Sequence, residues 1–209
     1  MGKLHVTGLT GGMGSGKSSA ARFLCRRFAI SCFSADRVVH ELLEPQQSCW
    51  RVVRELGAFL NEDQTLNKPL FREALFADNE LREQVNNKMH PLVHQALFEK
   101  IHHANREFGQ YHFLIDVPLL YEAEWRNMFA TVIVVYAAPE KCIERVVARD
   151  GVPREQAERS ICSQWPLREK ALRADHVVDN SGLWSDSCIQ LLHLGEFLWG
   201  KGKLELQKV

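Results

Sequence analysis

No stretch of the 209 residues approaches the ~20 consecutive apolar positions that a membrane-spanning helix needs, which excludes a helical integral membrane protein. Charge of one sign is not in excess either. With 26 basic residues against 26 acidic ones, no broad field favours a nucleic acid or an anionic membrane as partner. The six cysteines (Cys25, Cys32, Cys49, Cys142, Cys162, Cys188) contain no C-x-x-C pair, and the nine histidines form no H-E-x-x-H. Those spacings disfavour a disulfide framework or a zinc site. The cysteines are expected to be reduced, mostly buried small residues of a cytoplasmic protein. Adjacent His102 and His103 suit a helix surface better than a metal site. Internal repeats and low-complexity tracts are also missing, and no signal peptide is expected, since the first residues run straight into a strand and a glycine loop. Disorder is expected only in the tail from Gly200-Lys201-Gly202-Lys203 onward.

What is present is Gly11-Gly12-Met13-Gly14-Ser15-Gly16-Lys17-Ser18, a match to G-x-x-x-x-G-K-[ST]. Its flanks suit it. Leu4 to Leu9 predicts a short apolar strand, and Ala20, Ala21, Phe23, Leu24 and Phe28 recur at helical spacing after it. Glycines leave no Cβ in the way of a phosphate and let backbone N–H groups turn inward. The loop ends at a helix N-terminus, where the dipole and unpaired N–H groups favour an anion. Lys17 is expected to reach the β- and γ-phosphates, and the Ser18 hydroxyl to ligate Mg²⁺. The residues expected around ATP here are Gly12, Met13, Gly14, Ser15, Gly16, Lys17, Ser18 and Ser19.

Further strands are predicted at Ile30 to Phe33, Phe113 to Asp116, Thr131 to Ala137 and His176 to Asp179. Helices are predicted over Glu140 to Asp150, Arg154 to Trp165 and Leu183 to Trp199. From Arg37 to about Gly109 the pattern is mainly helical, with breaks at Pro45, at Asn61 to Pro69 and at Pro91. Continuous apolar strands alternating with helices predict an α/β fold, with a five-stranded parallel sheet flanked by helices. The long helical stretch between the second and third strands exceeds a single crossover and is expected to be an inserted subdomain. The helical pair at about 140–170 is expected to be a second, smaller insertion.

Three places favour phosphoryl transfer over a switch protein: Asp116, after the third strand, opens no D-x-x-G, and Asn67-Lys68-Pro69-Leu70 lacks the aspartate of N-K-x-D. Asp36 follows the second strand, where a parallel sheet presents its carboxyl-end loops beside the phosphate loop. A carboxylate there can accept a proton from an acceptor hydroxyl; the alternative is a helix N-cap. Asp116 ends a buried strand and suits water-mediated Mg²⁺ binding, as a Walker-B aspartate does, or a plain strand-ending turn. Arg145 and Arg149, four apart, share one helix face and can stabilise charge on the transferring group. Arg154 and Arg159 suit a solvated face paired with Glu140, Glu144, Glu155 and Glu158. Gly151 and Pro153 could hinge the 140–170 segment as a water-excluding lid.

With Gly8 to Ser18, Ser34-Ala35-Asp36, His90-Pro91, Asp116-Val117-Pro118-Leu119-Leu120-Tyr121-Glu122, Arg145-x-x-x-Arg149, Gln164 and Ala174 to Gly182 in this order, the chain resembles the dephospho-coenzyme A kinase family of P-loop kinases. The likeness runs from about residue 4 to 198. It implies transfer of the ATP γ-phosphate to the ribose 3′-hydroxyl of dephospho-CoA, the last step of coenzyme A synthesis, with Mg²⁺. It also implies a P-loop kinase core (1–36, 110–139 and 171–209), a helical CoA-binding domain (37–109) and a helical lid (140–170). By the same likeness Asp36 is the base, and His90, Asp116 and Leu119 lie on the acceptor side. Asn180 is placed near the adenine. ATP and dephospho-CoA are the implied partners of a monomer or weak homo-oligomer. Two departures stand out: Ser34 and Lys68 occupy positions where family members usually carry aspartate and arginine. A kinase acting on a nucleoside or nucleotide, or a nucleotide-binding module without transfer activity, are the other readings of the same residues.

Overall fold

The structure is a computed structural model that describes residues 4–200; the tail expected to be disordered lies, from residue 201, outside the described residues. The described residues divide into two compact units, one spanning 4–33 and 109–200 and the other 34–108.

The first unit is built on a sheet of β1 (His5–Gly11), β2 (Ser31–Ser34), β3 (His112–Asp116), β4 (Thr131–Tyr136) and β5 (His176–Asp179). Its strand order is β2-β3-β1-β4-β5. β1 pairs in parallel with both β3 and β4, and β4 pairs in parallel with β5. The middle of β4 (Val132 to Val135) and of β3 (Phe113 to Ile115) is buried on both faces, which is why these strands are continuous apolar runs. α1 (Lys17–Phe28) and α9 (Trp184–Trp199) cover one face. There Leu9, Leu24, Leu114, Ile133, Val135 and Leu191 form a core, each side chain stabilising the fold by ~1.5–3 kcal/mol. β1 runs two residues beyond the expected Leu9, to Gly11, because Thr10 and Gly11 stay in register with Val134 and Val135 of β4. Since β3 and β4 flank β1 on opposite sides, the crossovers diverge at its carboxyl end. That divergence opens the crevice in which such sheets bind ligands.

α6 (Pro139–Asp150) and α7 (Arg154–Cys162) follow β4, and Ile143, Val146 and Ala157 form a small core between them. Gly151, in the left-handed region, caps α6. The helix expected to reach Trp165 stops at Cys162, and an unanticipated short helix α8 (Leu167–Leu172) starts after Pro166. Proline is favoured at a helix start, so Pro166 opens α8, while Gln164 and Trp165 bond to Met13 and Glu122 instead of extending α7.

The second unit is helical: α2 (Ala35–Leu42), α3 (Ser48–Leu56), α4 (Lys68–Ala77) and α5 (Asn79–Phe108). Ser34 caps α2 by accepting from the Arg37 N–H, and Asn67 caps α4 by accepting from the Leu70 N–H. Asp36 is therefore not the N-cap; it lies inside the first turn, where a carboxylate complements the dipole. The expected break at Pro91 does not occur. α5 runs unbroken for 30 residues, burying Val85, Met89, Val93, Leu97, Ile101 and Ala104 along one stripe. Pro91 sits on the exposed side, and its ~3 kcal/mol penalty is outweighed by six buried side chains.

The cysteines are less buried than expected. Only Cys49 and Cys142 are fully buried, whereas Cys32, on an edge strand with one face to solvent, and Cys162 are exposed; all six are free thiols. His102 and His103 are exposed on α5.

Candidate functional site

The loop from Gly11 to Ser18 leaves the carboxyl end of β1 and enters α1 with Gly16 as its N-cap. Its curvature depends on glycines at two points. Gly14 has φ +78°, and a Cβ there would meet the Cys142 carbonyl oxygen at 2.4 Å. Gly16 has φ +91°, and a Cβ would strike the Asn180 side-chain amide at 2.2 Å. An L side chain at either point is strained and obstructed. The Ser15 N–H bonds to the Gly12 carbonyl at 3.1 Å, while the buried Ser15 hydroxyl has no hydrogen-bond partner among the described residues. Such a group is costly to leave unpaired, and an oxyanion seated in the loop would satisfy it.

Three distant segments hold this loop in shape. Arg145 of α6 donates to the Gly14 carbonyl at 3.3 Å and to the Asn180 carbonyl at 2.8 Å. Gln164 accepts from the Met13 N–H at 2.9 Å. Asn180, just past β5, donates its side-chain amide to the Ser15 carbonyl at 2.8 Å, and its oxygen accepts from the Ser187 hydroxyl at 2.9 Å. The Asn180 side chain is thus committed to the loop and to α9 rather than standing open toward a base. Removing it would orphan the buried Ser15 carbonyl, a loss of about 1–3 kcal/mol. For a chain of this size Asn180→Ala should lower the Tm by roughly 2–10 °C, read by thermal unfolding with and without ATP.

Lys17, in the first turn of α1, is ion-paired to Asp116 at the end of β3, and both side chains are largely shielded (11% and 15% exposed). Cation and carboxylate are brought together by the register that places Leu9 beside Asp116. Ser18 is exposed in the same helical turn, and Ser19 accepts a long bond from Arg22. Leu119 is exposed on the segment after β3, whose Pro118 carbonyl accepts from Thr10.

Arg149 does not join Arg145 at the loop. It is 61% exposed and makes a two-pronged pair with Asp150, whose hydrogen bond raises the guanidinium pKa. Arg154 pairs with Glu140 and Glu158 on the solvated face expected of it. In the helical unit, Asp36 is exposed in the first turn of α2. His90 stacks on His94 one turn away along α5, with centroids 6.4 Å apart. Burial lowers the pKa of both imidazoles, and for His94 the neighbouring His90 adds to it. Lys68 lies 3.3 Å from the His40 ring nitrogen.

Sequence patterns missed Lys170, Glu122 and Ser187 as parts of this site. Lys170 is wholly buried and pairs with Glu122 at 2.7 Å. A lysine in a short charged helix looks like surface, so nothing in its neighbourhood signals burial. Glu122 carried a signal only as the last letter of the segment that begins at Asp116.

No group of three or more His, Cys, Asp or Glu side chains suited to a metal ion occurs among the described residues. A Mg²⁺ that travels with a triphosphate takes most of its ligands from phosphate oxygens and water. The hard oxygens of Ser18 and Asp116 fit that demand. Among the described residues no helix is long and apolar enough to cross a membrane.

The sequence profile of the family described as dephospho-CoA kinase matches residues 5–186. The dephospho-CoA kinase of Lactobacillus johnsonii is 36% identical over 186 residues, covering 87% of this chain and 92% of that one. The crystal structure of TT1252 from Thermus thermophilus superposes with a TM-score of 0.81 at 25% identity, covering 94% of this chain and 99% of that one. The dephospho-CoA kinase of Campylobacter jejuni shares the fold at a TM-score of 0.64 and 20% identity, covering 93% and 96%.

Proposed function

The chain belongs to the dephospho-CoA kinase family, and from that premise we propose that it moves the γ-phosphoryl group of ATP to the ribose 3′-hydroxyl of dephospho-CoA. The observation that carries the donor half is the loop at the end of β1, braced from three sides and holding Lys17 against Asp116. Phosphoryl transfer asks little covalent chemistry of a protein; it asks for positioning and for compensation of negative charge. The loop amides and Lys17 supply both at the β- and γ-phosphates. Ser18, with Asp116 through water, would hold a Mg²⁺, which would supply positive charge to offset that of the phosphates.

Asp36 takes the proton of the attacking hydroxyl. The loop conformation that seats the triphosphate is kept by Arg145, and Arg149 becomes available to the transferring group on leaving Asp150. Residues 140–170 act as the lid, 37–109 bind the CoA portion, and His90 and Leu119 belong to the acceptor side. Asn180 works behind the loop rather than on the adenine.

A panel of acceptors, followed by ADP release, tests the assignment. Dephospho-CoA is expected to raise turnover by at least ~100-fold over nucleosides and nucleotides, the scale of discrimination that a site built for one hydroxyl can reach. Preference for a nucleoside or nucleotide would overturn the acceptor. ATP binding with no acceptor-stimulated ADP release would leave a binding module.

A further inference from the structure

We propose that Lys170 and Glu122 form a positioning device for the donor site, acting through the corner at Gln164–Trp165; the inference rests on the reading of the Gly11–Ser18 loop as the ATP site. Lys170 is 0% exposed, an unusual place for an ammonium group. A buried ion pair is weak as a source of stability, because well-packed apolar residues in its place commonly do as well or better. Its value has to lie in where it fixes things.

The bonds show what is fixed. The Lys170 ammonium donates to Glu122 Oε1 at 2.7 Å and to the Pro118 carbonyl at 3.1 Å. That same carbonyl accepts from Thr10, the residue immediately before the loop. Glu122 Oε1 also accepts from the Trp165 N–H at 3.0 Å. The neighbouring residue, Gln164, accepts from the Met13 N–H inside the loop. One ammonium therefore ties α8 to the segment after β3, and that segment to the corner whose next side chain orients a loop peptide. The other Glu122 oxygen is buried without a partner among the described residues, so the carboxylate is held through Oε1 alone. Glutamine at 164 can select the direction of the Met13 peptide only while Trp165 stays where Glu122 holds it. A turned Met13 peptide would withdraw the Gly12 carbonyl from the Ser15 N–H that it accepts inside the loop.

The test uses Lys170→Met, Gln164→Ala and the double variant in the full chain, with KM for ATP, KM for dephospho-CoA and kcat measured for each. Each single change is expected to raise the ATP KM about tenfold and to leave the dephospho-CoA KM within about twofold. Because both act through one contact, the double variant should also stay near tenfold rather than reach roughly a hundredfold. An unchanged ATP KM in Lys170→Met, or a product of the two effects in the double variant, overturns the inference. A purely structural role would lower the folded fraction and kcat while leaving both KM values in place. Should Lys170→Met fail to fold, Lys170→Met with Glu122→Gln removes both charges, and a normal ATP KM there overturns the inference equally. Wild-type protein that does not bind ATP would instead refute the donor-site reading itself.

Discussion

Replacing Lys17 by methionine is expected to lower turnover by ~10²–10³-fold at saturating acceptor, the usual loss when a preorganised charge-stabilising group is removed from a transfer site. Methionine keeps most of the length and apolar body of the lysine, so the change isolates the charge. It also strands the Asp116 carboxylate, which is 15% exposed and has Lys17 as its ion-pair partner. An unpaired, shielded carboxylate disturbs its surroundings on its own account. The control is Lys17→Met combined with Asp116→Asn, which removes both charges and should be as slow as the single variant. Activity within about threefold of wild type in the single variant would take Lys17 out of the chemistry.

Asp36→Asn is the second large effect. Asparagine preserves size and hydrogen bonding in the first turn of α2 but cannot accept the hydroxyl proton. Ser34, not Asp36, caps that helix, so its start should survive the change. Turnover is expected to drop at least ~100-fold, the lower range for loss of a general base, with ATP affinity unchanged. Equilibrium ATP binding and single-turnover phosphoryl transfer separate the two quantities. Folded Asp36→Asn protein that turns over at the wild-type rate would end the assignment. A parallel loss of ATP affinity would move Asp36 from the acceptor to the donor side.

The parallel strands were legible because β3 and β4 are buried on both faces and so are written in unbroken apolar residues. The phosphate loop was legible because its glycines answer local geometric demands at Gly14 and Gly16. Pro91 misled for the opposite reason. Its effect on the helix is local, whereas the stripe from Val85 to Ala104 that overrides it extends over five turns and pays off only against neighbouring helices. The early stop of α7 at Cys162, the burial of Lys170 and the turn of Arg149 toward Asp150 likewise depend on partners far away or on rotamers that spacing does not specify. Asn180 was found in its segment, but its bonds to the Ser15 carbonyl and to Ser187 were not foreseen. A turn residue after a last strand says nothing about which backbone carbonyl its amide will meet.

That amide links the rim of the sheet to its centre. β5 has only four residues and lies at the sheet edge, the kind of element that opens first in local unfolding. Yet its carboxyl end continues into Asn180, which is bonded to the Ser15 carbonyl, while Ser187 carries the connection into α9. Any local opening of β5 that carries Asn180 away also loosens the donor loop, so a ligand that prefers the closed loop stabilises the edge strand by mass action. A short edge strand is thereby made part of the same cooperative unit as the phosphate cradle, and its protection becomes a reporter of occupancy two strands away.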